Sequence, residues 1–177
     1  MRRRRYVGFI ISTTLAGCSE LTSRDEDSSE DTYTTENGIR LIVSRVETTE
    51  EFVLDGETPF VPQGDSRAVL VQLSAENTTD KTVQLPTPSQ FTVEAGTDTR
   101  DPYQVTFKND PGGLASTISD PVSGPLFPPT TALSGDSNAT GWLIFGVPVE
   151  SSDATLQLHA SDGSVSNEWA LSFETTS

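Results

Sequence analysis

Histidine, cysteine and lysine are scarce in this chain of 177 residues. His159 is the only histidine and Cys18 the only cysteine, so a zinc site or a Ser–His catalytic pair lacks the partners that it needs. The Gly-x-Ser-x-Gly pattern of a serine nucleophile is absent. A single cysteine also excludes an internal disulfide. These shortages predict a protein that is not an enzyme, holds no metal or cofactor, and depends on packing for its stability.

The chain is also poor in positive charge. It has 26 acidic and 11 basic side chains, a formal net charge of −15. Four of the 11 lie in Arg2–Arg5, so the chain from Cys18 onward has 7 basic against 26 acidic side chains, a formal charge of −19. This charge excludes nucleic acid as a partner, because phosphate binding needs clustered lysine and arginine. The acidic composition, with Lys81 and Lys108 as its two lysines, resembles that of extreme halophiles, where molar salt screens self-repulsion.

The first residues have the three zones of an export signal. Arg2–Arg5 form a positive patch, residues 6–16 form a weakly apolar run, and small residues precede Cys18. The apolar run is about half of the ~20 residues that a membrane-spanning helix needs. We therefore interpret residues 1–17 as a cleaved signal peptide.

The segment Leu15-Ala16-Gly17-Cys18 resembles the lipobox of bacterial and archaeal lipoproteins at every position. The resemblance implies that Cys18 carries a diacylglyceryl group through a thioether and becomes the mature N-terminus. The membrane would then be a partner through this lipid. The protein is accordingly expected on the outer face of the cytoplasmic membrane.

The arginines predict the export route. Arg3 and Arg4, followed by one further residue and the pair Tyr6-Val7, resemble the twin-arginine signal, whose pathway moves folded proteins. The mild hydrophobicity of the run that follows suits the same route. The alternative is an ordinary basic region of the general secretory signal.

The segment after the signal predicts a disordered linker, residues 18–37. It is acidic and rich in serine and threonine, and it has too few apolar side chains to offset the entropy of ordering. Its acidic cluster lacks the spacing of a calcium-binding loop, so we interpret the cluster as solvated surface. Residues 38–177 are predicted to form one domain, long enough to bury a core.

The domain contains six short runs rich in β-branched and aromatic residues, separated by Gly, Pro, Asn and Asp. They read IRLIVSRVE, AVLVQLSAEN, FTVEA, GWLIFGV, ATLQLHA and EWALSF. Together they predict an all-β, immunoglobulin-like antiparallel β-sandwich. The predicted core consists of Leu41, Val43, Val69, Val71, Leu73, Phe91, Val93, Leu143, Phe145, Leu156, Leu158, Leu171 and Phe173.

Three stretches carry a family resemblance: RAVLVQLSAENTTDKTVQLPTPSQFTVEAG, LSGDSNATGWLIFGVPVE and ATLQLHA. They resemble the telokin-like, immunoglobulin-fold domain of unknown function that follows the lipobox in many bacterial and archaeal surface lipoproteins, and with the acidic composition they indicate a haloarchaeal type. The resemblance covers residues 38–173. It implies that Gly141, Phe145 and Pro148 mark a core strand and its exit turn. At residues 134–136 Ser-Gly-Asp replaces the family's Pro-Gly, and the family brings no activity or cofactor.

Residues 97–137 are rich in proline and predict a long surface loop, with a strand over residues 103–107. Long loops in compact domains are often functional. An alternative function follows from this region, namely a solute- or metal-capturing accessory lipoprotein.

Five side chains have two interpretations each. The N-glycosylation sequons at Asn77 and Asn138 are usable in an exported protein, but Asn77 is predicted to end a strand and serve its turn. Trp142 and Trp169 lie in predicted strands and either pack in the core or form a carbohydrate-stacking platform. His159 is interpreted as a strand-edge residue rather than a ligand.

The leading prediction is therefore a membrane-anchored, non-catalytic immunoglobulin-like module for binding or surface interaction, with a protein or cell-envelope partner. A hydrolase is disfavoured because the chain lacks a suitable base.

Overall fold

The computed structural model describes residues 32–57, 59–103, 117–128 and 130–173. These residues form strands and turns, with one short 3-10 helix at Pro88–Gln90. No helix in the described ranges is long and apolar enough to cross a membrane. The strands are β1 Thr32–Thr34, β2 Ile39–Thr49, β3 Val53–Leu54, β4 Ser66–Asn77, β5 Val83–Gln84, β6 Phe91–Ala95, β7 Asp98–Arg100, β8 Thr117–Asp120, β9 Gly124–Pro125, β10 Ala132–Leu133, β11 Asn138–Pro148, β12 Asp153–His159 and β13 Val165–Ser172.

Two four-stranded sheets form the sandwich, with strand orders β1-β2-β4-β11 and β13-β12-β6-β7. The strand pairs within both sheets are antiparallel. A three-stranded sheet, β3-β8-β9, and the pair β10-β5 complete the described strands. The predicted all-β antiparallel sandwich is confirmed, and the six predicted strands correspond to β2, β4, β6, β11, β12 and β13.

The main core lies between the two large sheets. All the predicted core residues pack in it or against it, and Val43 and Phe173 are the two that are half-buried. A second apolar cluster lies on the other face of β4 and β11, beneath the β3-β8-β9 sheet. Because both faces of these two strands are covered, their sequences AVLV and WLIF are continuously apolar rather than alternating.

The domain begins earlier than predicted. Thr32–Thr34, which the sequence assigned to the disordered linker, form β1 and pair with Arg40–Ile42 of β2. Tyr33 packs against the main core, with its ring perpendicular to that of Trp169 at a centroid distance of 6.3 Å. Gly38, at φ 87°, completes the turn after β1, because an Asn-Gly pair suits such a hairpin. The predicted boundary at residue 38 is therefore wrong for residues 32–37.

The described parts of the proline-rich region, residues 97–103, 117–128 and 130–137, contain β7 to β10 and are not a plain surface loop. Phe127 lies over β11, where its N–H donates to the carbonyl of Trp142 at 2.9 Å. Gly141 is required here, because a Cβ at this position would lie 2.8 Å from the Cα and N of Phe127. Of the strand predicted over residues 103–107, residues 104–107 lie outside the described part of the chain.

Candidate functional site

A cleft of about 410 Å³ opens at one end of the sandwich, beside the strand that follows the linker. We call it the Tyr33 cleft. It lies between the β1–β2 turn, the strand β5 with the residues after it, and the β12–β13 hairpin. Its lining consists of Tyr33, Thr35, Glu36, Asn37, Gln84, Leu85, Pro86, Gln90, Leu158, His159, Ala160, Ser161 and Ser166.

Local backbone geometry brings these segments together. The amide nitrogen of Asn37 lies 3.4 Å from the carbonyl oxygen of Gln84, so the β1–β2 turn contacts β5. On the opposite side, the register of β12 against β13 shifts between Leu158 and His159. A bulge of this kind bends a strand and redirects its side chains, so β12 turns into the cleft at its last residue.

His159 forms part of a fixed wall. Its Nε2 lies 2.8 Å from the hydroxyl of Thr92, and its Nδ1 lies 3.3 Å from the carbonyl oxygen of Gly163. A carbonyl can only accept a hydrogen bond, so Nδ1 is the donor to Gly163, and the hydroxyl of Thr92 is the partner of Nε2. Both ring nitrogens are therefore engaged, and His159 is the last residue of β12, as its interpretation as an edge residue requires.

Gln90 holds the same wall from the 3-10 helix that precedes β6. Its amide nitrogen donates to the carbonyl oxygen of His159 at 3.2 Å, and its amide oxygen accepts from the N–H of Thr87 at 3.0 Å. The wall of the cleft is thus tied together across two strands. Such an arrangement can hold a ligand in a defined place.

The lining of the cleft carries little charge. Glu36, which is exposed, is the acidic residue in its lining, and the lining contains no lysine or arginine. No three His, Cys, Asp or Glu side chains converge as metal ligands among the residues that the structure describes. The cleft therefore offers hydrogen-bonding groups and an apolar floor rather than strong charge.

The two sequons differ in the structure. Asn77 is buried, and its amide nitrogen donates to the carbonyl oxygens of Lys81, Leu133 and Ser134 at 2.6, 3.0 and 2.9 Å. Its amide oxygen accepts from the N–H of Thr79 at 2.9 Å. The burial and hydrogen bonds of Asn77 therefore favour a structural role for this residue over glycosylation. Asn138 is exposed at the start of β11, so its modification stays a prediction.

The tryptophans are not available for ligand stacking. Trp142 is 2% exposed and Trp169 is 1% exposed. Trp142 lies in the cluster beneath the β3-β8-β9 sheet, and Trp169 lies in the main core. The carbohydrate-stacking alternative is wrong for both residues, and core packing explains their positions.

A second cleft, of about 300 Å³, borders the region 97–137. Phe60, Arg100 and Tyr103 line it, and the rings of Phe60 and Tyr103 have centroids 5.2 Å apart. Burial raises the pKa of the Tyr103 phenol, and the nearby positive charge of Arg100 opposes this rise. Arg100 itself is paired with Asp98 at 2.8 Å.

The predicted anchor and export residues, Cys18, Arg3 and Arg4, lie outside the described residues. The signal peptide 1–17 lies there too, with residues 18–31 of the linker. Sequence reasoning missed the Tyr33 cleft, although two signals were present in the linker. One is the Asn37-Gly38 pair, which is typical of a hairpin turn, and the other is Tyr33 as an isolated large apolar residue.

The structure resembles β-sandwich proteins of known structure. The YcdA protein of Bacillus subtilis, whose assignment as a lipoprotein is provisional, matches with a TM-score of 0.50 and 16% identity over 81% of this chain and 39% of that chain. An uncharacterized β-sandwich protein from Clostridium difficile matches with a TM-score of 0.49 and 6% identity over 82% of this chain and 91% of that chain.

No family model matches the sequence, and no curated protein matches it significantly. The chain spans about 39% of the length of YcdA, so the likeness concerns one part of that protein. At these identities the structural likeness shows the fold alone. The chain is a β-sandwich, and its telokin-like and haloarchaeal character stays a prediction from the sequence.

Proposed function

We propose that this chain is a lipid-anchored, extracytoplasmic binding module that works without catalysis, and that the Tyr33 cleft is its binding site. The observation that carries the proposal is the position of the cleft: its wall includes β1, the first described strand after the predicted lipid anchor. Residues 19–31 separate Cys18 from that strand, and 13 residues reach at most ~45 Å when fully extended. The domain would therefore bind its ligand close to the membrane surface.

The lining of the cleft supports a role in binding. It offers hydrogen-bonding side chains and an apolar floor. The volume of about 410 Å³ lies within the range of ~300–1,000 Å³ that small-molecule sites occupy.

The anchor is tested by Cys18→Ser, with Ser19→Ala as the matched control. We expect the control protein to sediment with membranes and its N-terminal peptide to carry a lipid mass on Cys18. The Cys18→Ser protein should be released or remain uncleaved. A membrane-bound protein with an unmodified Cys18 would disprove the anchor.

The export route is tested separately. The double change Arg3→Lys and Arg4→Lys keeps the charge but removes the two guanidinium groups, and Arg2→Lys is its control. We expect precursor to accumulate inside cells for the double variant alone. Normal export of the double variant would indicate that the protein uses the general secretory route instead.

The alternative function, solute or metal capture by the region 97–137, has the cleft at Arg100 and Tyr103 as its supporting observation. Asp101 supplies the carboxylate in the lining of this cleft. Calorimetric titration of the protein with divalent cations, compared with Asp101→Asn and Gln84→Ala variants, separates the two sites. Heat that is lost with Asp101→Asn and kept with Gln84→Ala would favour this alternative.

A further inference from the structure

The floor of the Tyr33 cleft is apolar. Tyr33 is half-buried, and Leu85, Pro86 and Leu158 beside it are buried. The contact between Tyr33 and Trp169 holds the tyrosine ring against the main core. A ligand that fits this floor needs one apolar face of about the size of a ring, because an aromatic side chain binds such a face well.

The rim of the cleft supplies hydrogen-bonding groups that nothing else uses. Gln84, Ser161 and Ser166 line the cleft, and no described residue forms a hydrogen bond with their side chains. An amide and two hydroxyls can each donate and accept. Groups of this kind match ligand hydroxyls, which also donate and accept, better than they match a group that only accepts.

The charge of the lining limits the class of ligand further. The lining offers no lysine or arginine to an anion, and Glu36 at the rim would repel one. The formal charge of −19 from Cys18 onward adds to that repulsion. A single exposed carboxylate is also a poor site for a metal cation, which requires several oxygen ligands. The remaining class is a neutral ligand.

The walls are fixed before any ligand arrives. Gln90 and Thr92 each bond to His159, which joins β6 and the 3-10 helix before it to β12, while Asn37 contacts the backbone of β5. A site whose walls are already ordered loses less entropy on binding. A weakly charged, shallow cleft can therefore still select a ligand by shape and hydroxyl pattern.

We propose that the Tyr33 cleft binds a neutral saccharide, with one face of a sugar ring against Tyr33 and its hydroxyls hydrogen-bonded to Gln84 and Ser166. This inference rests on the proposed function, which names the cleft but no ligand class. It differs from the stacking platform predicted at Trp142 and Trp169, because both of those rings are buried.

The test uses the chain from Cys18 onward with Cys18→Ser and follows backbone amides by NMR. The probes are neutral disaccharides, together with methyl glucoside and methyl glucuronide, which share a ring and differ in one carboxylate. We expect shifts at Tyr33, Gln84 and His159 with the neutral sugars and weaker or no shifts with the glucuronide. Gln84→Ala combined with Ser166→Ala should weaken binding about tenfold or more, as the loss of two hydrogen bonds predicts.

Gln63→Ala is the matched control, since Gln63 is an exposed glutamine that lines the second cleft. It should bind as the unmodified protein does. Absence of cleft shifts with every neutral sugar, or equal loss with Gln63→Ala, overturns the saccharide inference. The proposed function is judged apart from it, by whether isolated cell envelopes bind the Cys18→Ser chain, which lacks the anchor, and fail to bind the same chain carrying Gln84→Ala and Ser166→Ala.

Discussion

The side-chain nitrogen of Asn77, at the end of β4, lies 3.0 Å from the carbonyl oxygen of Leu133, 56 residues further along the chain. The same nitrogen also bonds to Ser134, so one amide joins the turn after β4 to the loop that leads into β11. Asn77 itself is buried, as is Leu133. The side chain of Asn77 therefore links two segments that are distant in the sequence, and its removal should destabilise the domain.

Asn77→Ala should destabilise the domain by about 3 kcal/mol, because buried carbonyl oxygens lose their donor. Asn77→Asp should cost a similar amount, since a carboxylate keeps the acceptor for Thr79 but has no N–H to donate. Asn138→Ala, at an exposed position, should stay within about 0.5 kcal/mol. Chemical denaturation measures all three, and equal midpoints for Asn77→Ala and Asn138→Ala would contradict the role.

Glycosylation should follow the same difference in burial. We expect any N-linked glycan in the native host on Asn138, which is exposed, and none on Asn77, whose amide nitrogen is engaged in three hydrogen bonds. Peptide mass spectrometry of protein from the host measures occupancy at each site, with Asn138→Gln as the control. A glycan on Asn77 in folded protein would disagree with the buried position.

Gly141→Ala should destabilise by about 2–3 kcal/mol, because its new Cβ would meet the backbone of Phe127 at 2.8 Å. Backbone atoms cannot turn aside as a flexible side chain would. Gly64→Ala is the comparison, since Gly64 has open space around it but a φ of 66°. That change should cost about 1 kcal/mol. Thermal melting separates the two, and a smaller loss for Gly141→Ala would mean that the Phe127 segment moves away easily.

Alkaline pH should weaken the fold through Tyr103. Burial raises the pKa of its phenol above the ordinary value of 10.0. The neutral phenol is thus favoured in the fold, and this contribution is complete below the ordinary pKa and is lost as the pH rises through the folded value. Tyr103→Phe should therefore flatten the alkaline limb of a stability–pH profile. The titration of phenolate absorbance should also lose its component of highest pKa, and an unchanged titration would argue against the shift.

Dilute salt should destabilise the domain. The described ion pairs, Arg40–Glu76, Arg45–Glu47 and Arg100–Asp98, are partly exposed, and each is worth about 0–1 kcal/mol. Acidic side chains far outnumber basic ones in the domain, so we expect net repulsion that these pairs do not offset when cations are dilute. The melting temperature should fall as potassium chloride is lowered from molar to millimolar concentration.

A variant with less negative charge serves as the control for salt. Changing the exposed residues Glu50, Glu51 and Glu150 to glutamine should reduce the salt dependence while leaving the fold intact. A melting temperature that is independent of salt in the unmodified protein would refute the halophilic interpretation of the composition.

The long strands were predictable because their evidence is local. The buried Ile39 and Leu41 lie on either side of Arg40 in β2, and the buried Leu156 and Leu158 lie on either side of Gln157 in β12, as one buried sheet face requires. In β4 and β11 the continuous apolar runs still predicted strands. What the sequence could not reveal was the reason for the continuity, which is the second cluster on the outer face of these strands.

The Tyr33 cleft was missed because its position depends on distant contacts. Tyr33 lies in an acidic, polar segment, and only its contact with Trp169 explains why three residues of that segment join a sheet. The same holds for Phe127, which lies over Gly141 although it follows Pro125-Leu126 and precedes Pro128 in a proline-rich stretch. Arg67 is a third case, since it is buried with its guanidinium 4.9 Å from the ring centre of Phe173. The sequence around each of these residues does not indicate which distant residue it contacts.

The short length of β1 has a mechanical consequence. Three residue pairs, Thr32–Ile42, Tyr33–Leu41 and Thr34–Arg40, attach this strand to the rest of the sheet. If lipid on Cys18 holds the chain to the bilayer, any tension between bilayer and domain enters the fold at Thr32. Such a short edge strand yields before the long strands do, and peeling it away removes Tyr33 from the cleft. Force on the anchor would then release a bound ligand from the cleft. Conversely, a ligand in contact with Tyr33 would stabilise the pairing of β1 with β2 against that force.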